Sequence, residues 1–130
     1  MNRLIFALIG LGVLAGCMRD ETLSAYAAVG KTYELVDLNG STPSFPVTLR
    51  LGHKGAMSGQ AQCNSYMTTT QDPYPWMNLT AIAATKRACP HLAEEAAFFD
   101  ALESMTLAEA AGPVVLLSND AGDEMEFRLR

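Results

Sequence analysis

The chain has 130 residues, enough for one domain, with 49% hydrophobic and 18% charged residues. Its formal net charge is −5, from 9 Lys+Arg against 14 Asp+Glu. That balance, with the cations spread along the chain, excludes the basic face of a nucleic-acid binder and a polybasic attraction to anionic lipid.

The first element is apolar. Arg3 precedes "LIFALIGLGVLAG", a run too short to span a bilayer comfortably as a helix, and it ends in Ala15, Gly16 and Cys17. A charged start, an apolar middle and small residues at the end make a secretory signal. "LAGC", Leu14 to Cys17, resembles the lipobox of bacterial lipoproteins. The resemblance implies a signal peptide over residues 1–16, removed on maturation, and diacylglyceryl transfer and N-acylation at Cys17. The other reading is an uncleaved signal anchor with an incidental cysteine. Several acyl chains hold a protein firmly, each buried methylene contributing ~0.8 kcal/mol. Met18 follows the cysteine. An Asp there would resemble an inner-membrane retention signal, so the expected place is the cell envelope, on the outer membrane facing the periplasm.

With Cys17 lipidated, Cys63 and Cys89 remain as an even pair in an oxidising compartment, where a disulfide is the expected state. It closes a loop of roughly 27 residues and contributes about 3.5 kcal/mol in the chain-entropy account. Two buried free thiols packing as small apolar groups are the alternative.

Residues 17–30 run from polar to small without periodicity and read as a flexible tether; residues 31–130 form the domain. "KTYELVDLNG" predicts a strand with Tyr33, Leu35 and Asp37 on one side and a turn at Asn39-Gly40. "FPVTLRLG" alternates Val47, Leu49 and Leu51 inward, and "HKG" is a tight connection. "AMSGQAQCNSYMTTT" reads as one strand in which Gly59 marks a bulge or a close backbone approach. "QDPYPW" breaks the pattern, and "WMNLTAIAAT" resumes it through Leu79 and Ile82.

"PHLAEEAAFFDALESM" is the one helix, with Pro90 at its first position and Cys89 as its cap. Phe98, Leu102 and Met105 share a face, with Phe99 beside them. Glu95 falls on that apolar face, between Phe99 and Leu102. "PVVLLSN", the turn "DAGDE" and "MEFRLR" make a terminal hairpin with Met125, Phe127 and Leu129 alternating. The order predicts an α+β fold, a curved antiparallel sheet with one helix covering a face or end.

Three segments, "GAMSGQAQCNSY", "TKRACP" and "EEAAFFDAL", resemble the META domain family, the HslJ-like fold. The matching positions are Gly55, Gly59, Cys63, Asn64 and Tyr66, then Thr85, Ala88 and Cys89, then Glu95, Phe98 and Leu102. Gln62, Arg87 and Tyr33 depart from the family's Gly, Met and Trp. The resemblance covers residues 31 to 129. It implies a small barrel-like sheet with one helix, often on a lipoprotein. It also implies an association with envelope stress and drug tolerance, and no established catalytic residues.

The remaining chemistry is thin. A thiol nucleophile at Cys63 lacks a recognisable base in His53 or His91. Cys63, Cys89 and His91 lack the paired spacing of a zinc site, and "NDAGDEME" lacks EF-hand spacing and reads as a turn. No metal or cofactor is expected. Glu95 carries the most physical content, because a buried carboxylate must be hydrogen-bonded or paired. It is expected to anchor the helix to the sheet, together with the motif residues Asn64 and Thr85. Its expected partners are the Thr85–Cys89 segment, Arg50 or Arg87. The competing reading is a perturbed acid in a cleft.

These readings describe a non-enzymatic binding or stress-protection module. It is held to the membrane by its N-terminal lipid, and its partner is an envelope protein or a small apolar ligand, not nucleic acid. Tyr74 and Trp76 form the candidate binding loop, unless Trp76 packs inward. The alternative is a displayed inhibitor of a hydrolase such as lysozyme or a protease.

Overall fold

The computed structural model describes residues 18–130. The expected signal peptide, residues 1–16, and the expected lipidation site, Cys17, lie outside the described residues. Among these residues no helix is long and apolar enough to cross a membrane.

Strand β1 (Thr32–Leu38) points Tyr33 and Leu35 into the core. The alternation breaks there, because the register with the last strand shifts between Leu35 and Asp37. Asp37 leaves the inward row, and its carboxylate accepts from the Gly40 N–H at 2.8 Å. Asn39 and Gly40 both have positive φ, 51° and 81°, the pair of left-handed residues that Asn-Gly supplies at least cost. Strand β2 (Thr48–Leu51) buries Leu49 and Leu51, with Val47 fully buried ahead of it.

The segment read as one strand is two. Strands β3 (Ala56–Gln60) and β4 (Ser65–Thr69) form a hairpin, and residues 61–64 between them bury Ala61, Cys63 and Asn64. The strict alternation ends because the main chain at Cys63 and Asn64 is captured by a helix side chain instead of a neighbouring strand. Only β5 (Ala83–Ala84) forms from the "WMNLTAIAAT" run. Helix α1 (Leu92–Glu103) starts two residues later than Pro90, with His91 as its N-cap. It buries Glu95, Phe98 and Leu102, and Met105 is buried just beyond its end.

Strand β6 (Leu107–Ala111) was not legible. "LAEAA" favours a helix, yet all five residues pair with β7 (Val114–Ser118), and tertiary pairing overrides the propensity. The hairpin of β7 and β8 (Glu124–Leu129) forms as expected, with Met125 and Phe127 fully buried; Leu129 is partly exposed.

The eight strands form one antiparallel sheet in the order β5-β4-β3-β2-β1-β8-β7-β6. This corrects the barrel-like expectation. The sheet is open and not rolled up, because its first and last strands, β5 and β6, do not pair. The chain that would close it carries Pro73 and Pro75, which cannot donate to a ladder. Its one ladder contact with β6 among the described residues is an isolated bridge between Trp76 and Leu107. The core lies on one face, where Tyr33, Leu49, Leu51, Met57, Val115 and Phe127 meet Phe98 and Leu102 of α1. Full burial of each such side chain contributes roughly 1.5–3 kcal/mol.

The segment read as a tether docks from Asp20 onward. Leu23, in a short 3-10 turn (Leu23–Ala25), joins the core, and the Ser24 hydroxyl accepts from the Gly55 N–H at 2.9 Å. Asp20 accepts from the Thr22 hydroxyl and the Lys54 N–H, both at 2.6 Å. The Thr22 hydroxyl, above all, holds its carboxyl below the ordinary aspartate value, with the Lys54 amide adding to the effect.

Candidate functional site

Glu95 is 4% exposed and faces the β3–β4 connection. Its Oε2 accepts from the N–H groups of Cys63 and Asn64, each at 2.7 Å, and its Oε1 accepts from Asn64 Nδ2 at 2.6 Å. The donors therefore differ from those the sequence suggested. They are two residues of the hairpin connection, and neither Arg50 nor Arg87 pairs with the carboxylate among the described residues. Burial alone would raise the Glu95 pKa. The hydrogen bonds from the Asn64 side chain and the Cys63 and Asn64 N–H groups outweigh it, and the carboxyl titrates below its ordinary value.

Asn64 passes the connection on. Its Oδ1 accepts from the Thr85 hydroxyl at 2.9 Å and from the Arg87 N–H at 2.6 Å. The Thr85 Oγ1 in turn accepts from the Ser65 N–H at 3.1 Å. Glu95, Asn64 and Thr85 thus form one chain of bonds joining α1, the β3–β4 connection and residues 85–87.

The Cys63–Cys89 disulfide ties the same pieces covalently, with a Cα–Cα distance of 6.0 Å. Replacing both cysteines with alanine is expected to lower stability by about 3 kcal/mol, read by urea denaturation of the oxidised parent and the variant. An unchanged midpoint would remove the disulfide's role as a brace.

The other candidates separate. The His91 N–H donates to Cys89 Sγ at 3.3 Å, and its ring lies against Phe45 with centroids 3.8 Å apart. His53 is exposed at the β2–β3 turn. No group of three or more His, Cys, Asp or Glu among the described residues is placed to hold a metal ion. At the last hairpin, Asn119 Oδ1 accepts from the Ala121 and Asp123 N–H groups, which accounts for the turn.

In the aromatic loop, Tyr74 is half-buried. It stacks on Tyr26 at 4.1 Å and its hydroxyl accepts from the Ala110 N–H at 3.2 Å. Trp76 does not pack inward; it is 58% exposed. The loop and the Glu95 cluster therefore share no contact that would make them one site.

A groove of about 540 Å³ lies beside the Glu95 cluster, between β5 and α1. Ile82 and Ala84 line one wall, and Leu92, Ala96 and Phe99 line the other. This wall is a second stripe on the same helix, beside the inner face of Phe98, Leu102 and Met105 that the amphipathic pattern predicts. Leu92, Ala96 and Phe99 repeat at i, i+4 and i+7, a second apolar stripe readable in the sequence.

The META domain family matches residues 26–130. An NMR structure of a protein from Burkholderia xenovorans shares the fold, with a TM-score of 0.60 and 22% identity, covering 78% of this chain and 83% of that one. A second NMR structure has a TM-score of 0.59 and 17% identity, covering 76% of this chain and 88% of the other. No curated protein matches the chain.

Proposed function

The chain belongs to the META domain family, and from that premise we propose that it is a non-enzymatic binding module of the cell envelope. It is anchored through lipid on Cys17 and contributes to stress protection by engaging an envelope protein or a small apolar ligand. The observation that carries this reading is the saturation of the buried polar cluster. Both Glu95 oxygens and the Asn64 side-chain amide are committed to internal bonds. A general acid or base must instead reach the proton it transfers. What the domain offers outward is apolar surface on a fixed frame, with Trp76 as its largest exposed side chain.

The displayed-inhibitor reading needs a loop standing clear of the body. The Trp76 loop instead lies along β6, with the Met77 N–H on the Thr106 carbonyl and the Ala108 N–H on the Pro75 carbonyl, both at 2.8 Å. This favours a flat contact surface over a projecting one.

The test is a photo-crosslinking side chain at position 76 of the full chain in intact envelopes. One discrete adduct is expected, and Cys17→Ser should lose both alkyl-chain labelling and the adduct. Trp76→Ala should change folding stability by less than about 0.5 kcal/mol, measured by thermal denaturation. Turnover of an envelope substrate with no adduct would replace the binding reading by an enzymatic one.

A further inference from the structure

We infer that the groove between β5 and α1 receives an extended acidic peptide segment of a partner protein, added as a further strand to the eight-stranded sheet. This deepens the binding reading above and rests on it.

The sheet has two edges, and the chain treats them differently. The β6 edge is covered by the protein's own residues 75–77, through the Met77 and Ala108 bonds and the Trp76–Leu107 bridge. The β5 edge has no such cover among the described residues. An exposed edge is a template for another strand unless something blunts it. Beside β4, the Thr85 N–H donates to the Ser65 carbonyl at 3.0 Å. In an antiparallel ladder the bonded positions alternate, so the next bonded pair is Met67 with Ala83. Ala84, between these two bonded positions, therefore turns its main-chain N–H and C=O away from β4, to the open edge of the sheet beside the groove.

The opposite wall suits an added strand. Leu92 is 45% exposed, and Ala96 and Phe99 continue its stripe along α1. Side chains on one face of the incoming strand would lie against this stripe, while its main chain bonds to β5. In strand addition the backbone supplies affinity and alternate side chains supply selectivity.

Charge selects the peptide. Lys86 and Arg87 are exposed at the rim and make no ion pair among the described residues, on a chain whose net charge is −5. A carboxylate on the peptide meets them. Glu95 also lines the groove, but its charge is occupied by three donors. The Glu95–Asn64–Thr85 bonds and the disulfide join the pieces that form both walls, so the groove keeps its width before a peptide arrives. That pre-organisation lowers the entropy lost on binding.

The probe is a displayed library of random octapeptides, selected on the full chain in detergent. Selected sequences should alternate small or β-branched apolar residues with at least one acidic residue. Backbone amide shifts on binding should centre on Ile82–Lys86 and Leu92–Phe99. N-methylation of the peptide at alternate positions should weaken binding by about tenfold or more at one parity and little at the other. Lys86→Glu with Arg87→Glu should cost about tenfold, and Leu92→Asp should abolish binding without unfolding an exposed position. No enrichment, or peptides indifferent to both N-methylation and charge reversal, would overturn the inference. An adduct at position 76 in that case would leave the binding module standing and remove only this groove, whereas groove binding with no adduct would remove the loop.

Discussion

Glu95→Ala is expected to remove about 4 kcal/mol of folding stability, a large share of the roughly 5–15 kcal/mol that a single domain has in total. The substitution deletes one carboxylate and strands three donors, the Cys63 and Asn64 N–H groups and Asn64 Nδ2. Each unsatisfied buried donor costs roughly 1–3 kcal/mol, reduced where water enters. Glu95→Gln should cost about half as much, because its carbonyl oxygen can serve the two backbone donors but its NH2 then confronts Asn64 Nδ2. Asn64 cannot turn over to relieve this, since its oxygen is held by Thr85 and Arg87. The pH dependence has a fixed sign. Glu95 titrates below its ordinary value of 4.5 in the folded state, so its contribution is complete above that value. It is lost as pH falls through the lowered folded value, and the glutamine variant should lack this component in acid titrations followed by circular dichroism. Unchanged stability in Glu95→Ala would end the anchoring role, whatever the pH profile.

Gly59→Ala should cost about 3 kcal/mol by overpacking. A Cβ at this position would fall inside contact distance of the Thr48 carbonyl oxygen and against the Tyr66 ring. The carbonyl cannot retreat freely, because the Tyr66 hydroxyl donates to it at 2.7 Å. Gly59 and Tyr66 are cross-strand partners, so the missing side chain of one is the space the other occupies. Relief would require β2 to part from β3, since backbone forms one side of the clash. Tyr66→Phe isolates the hydroxyl and should cost about 1 kcal/mol. A stable Gly59→Ala domain with an unshifted Tyr66 ring resonance would contradict this packing.

These two sites show what was legible in the chain. Glu95 stood out because a carboxylate broke an apolar helical face, a local signal that needs no partner to be read. Its donors were not legible, because backbone N–H groups carry no residue identity and the hairpin connection that presents them was hidden inside an apparent single strand. Gly59 was readable as a close approach, but the atom approaching it was a carbonyl from β2. The outer hairpin and β1 followed from alternation and turn chemistry. β6 did not, since "LAEAA" is composed for a helix and becomes a strand only beside β7. The sheet is open, contrary to the barrel-like expectation. Curvature cannot be read from alternation, and the prolines in the connecting segment were the available sign that no regular strand would bridge β5 to β6.

The docking of the N-terminal segment sets a distance. Under the anchoring proposed above, in which Cys17 carries the lipid, only Met18 and Arg19 would separate the acyl chains from Asp20, which is already bonded to Lys54. At ~3.6 Å per residue the leash is roughly 10 Å long. A domain on so short a leash does not range through the surrounding space. The proposed anchor would therefore hold it on the bilayer with one end down, and a partner would have to come to within a molecular diameter of the lipid surface.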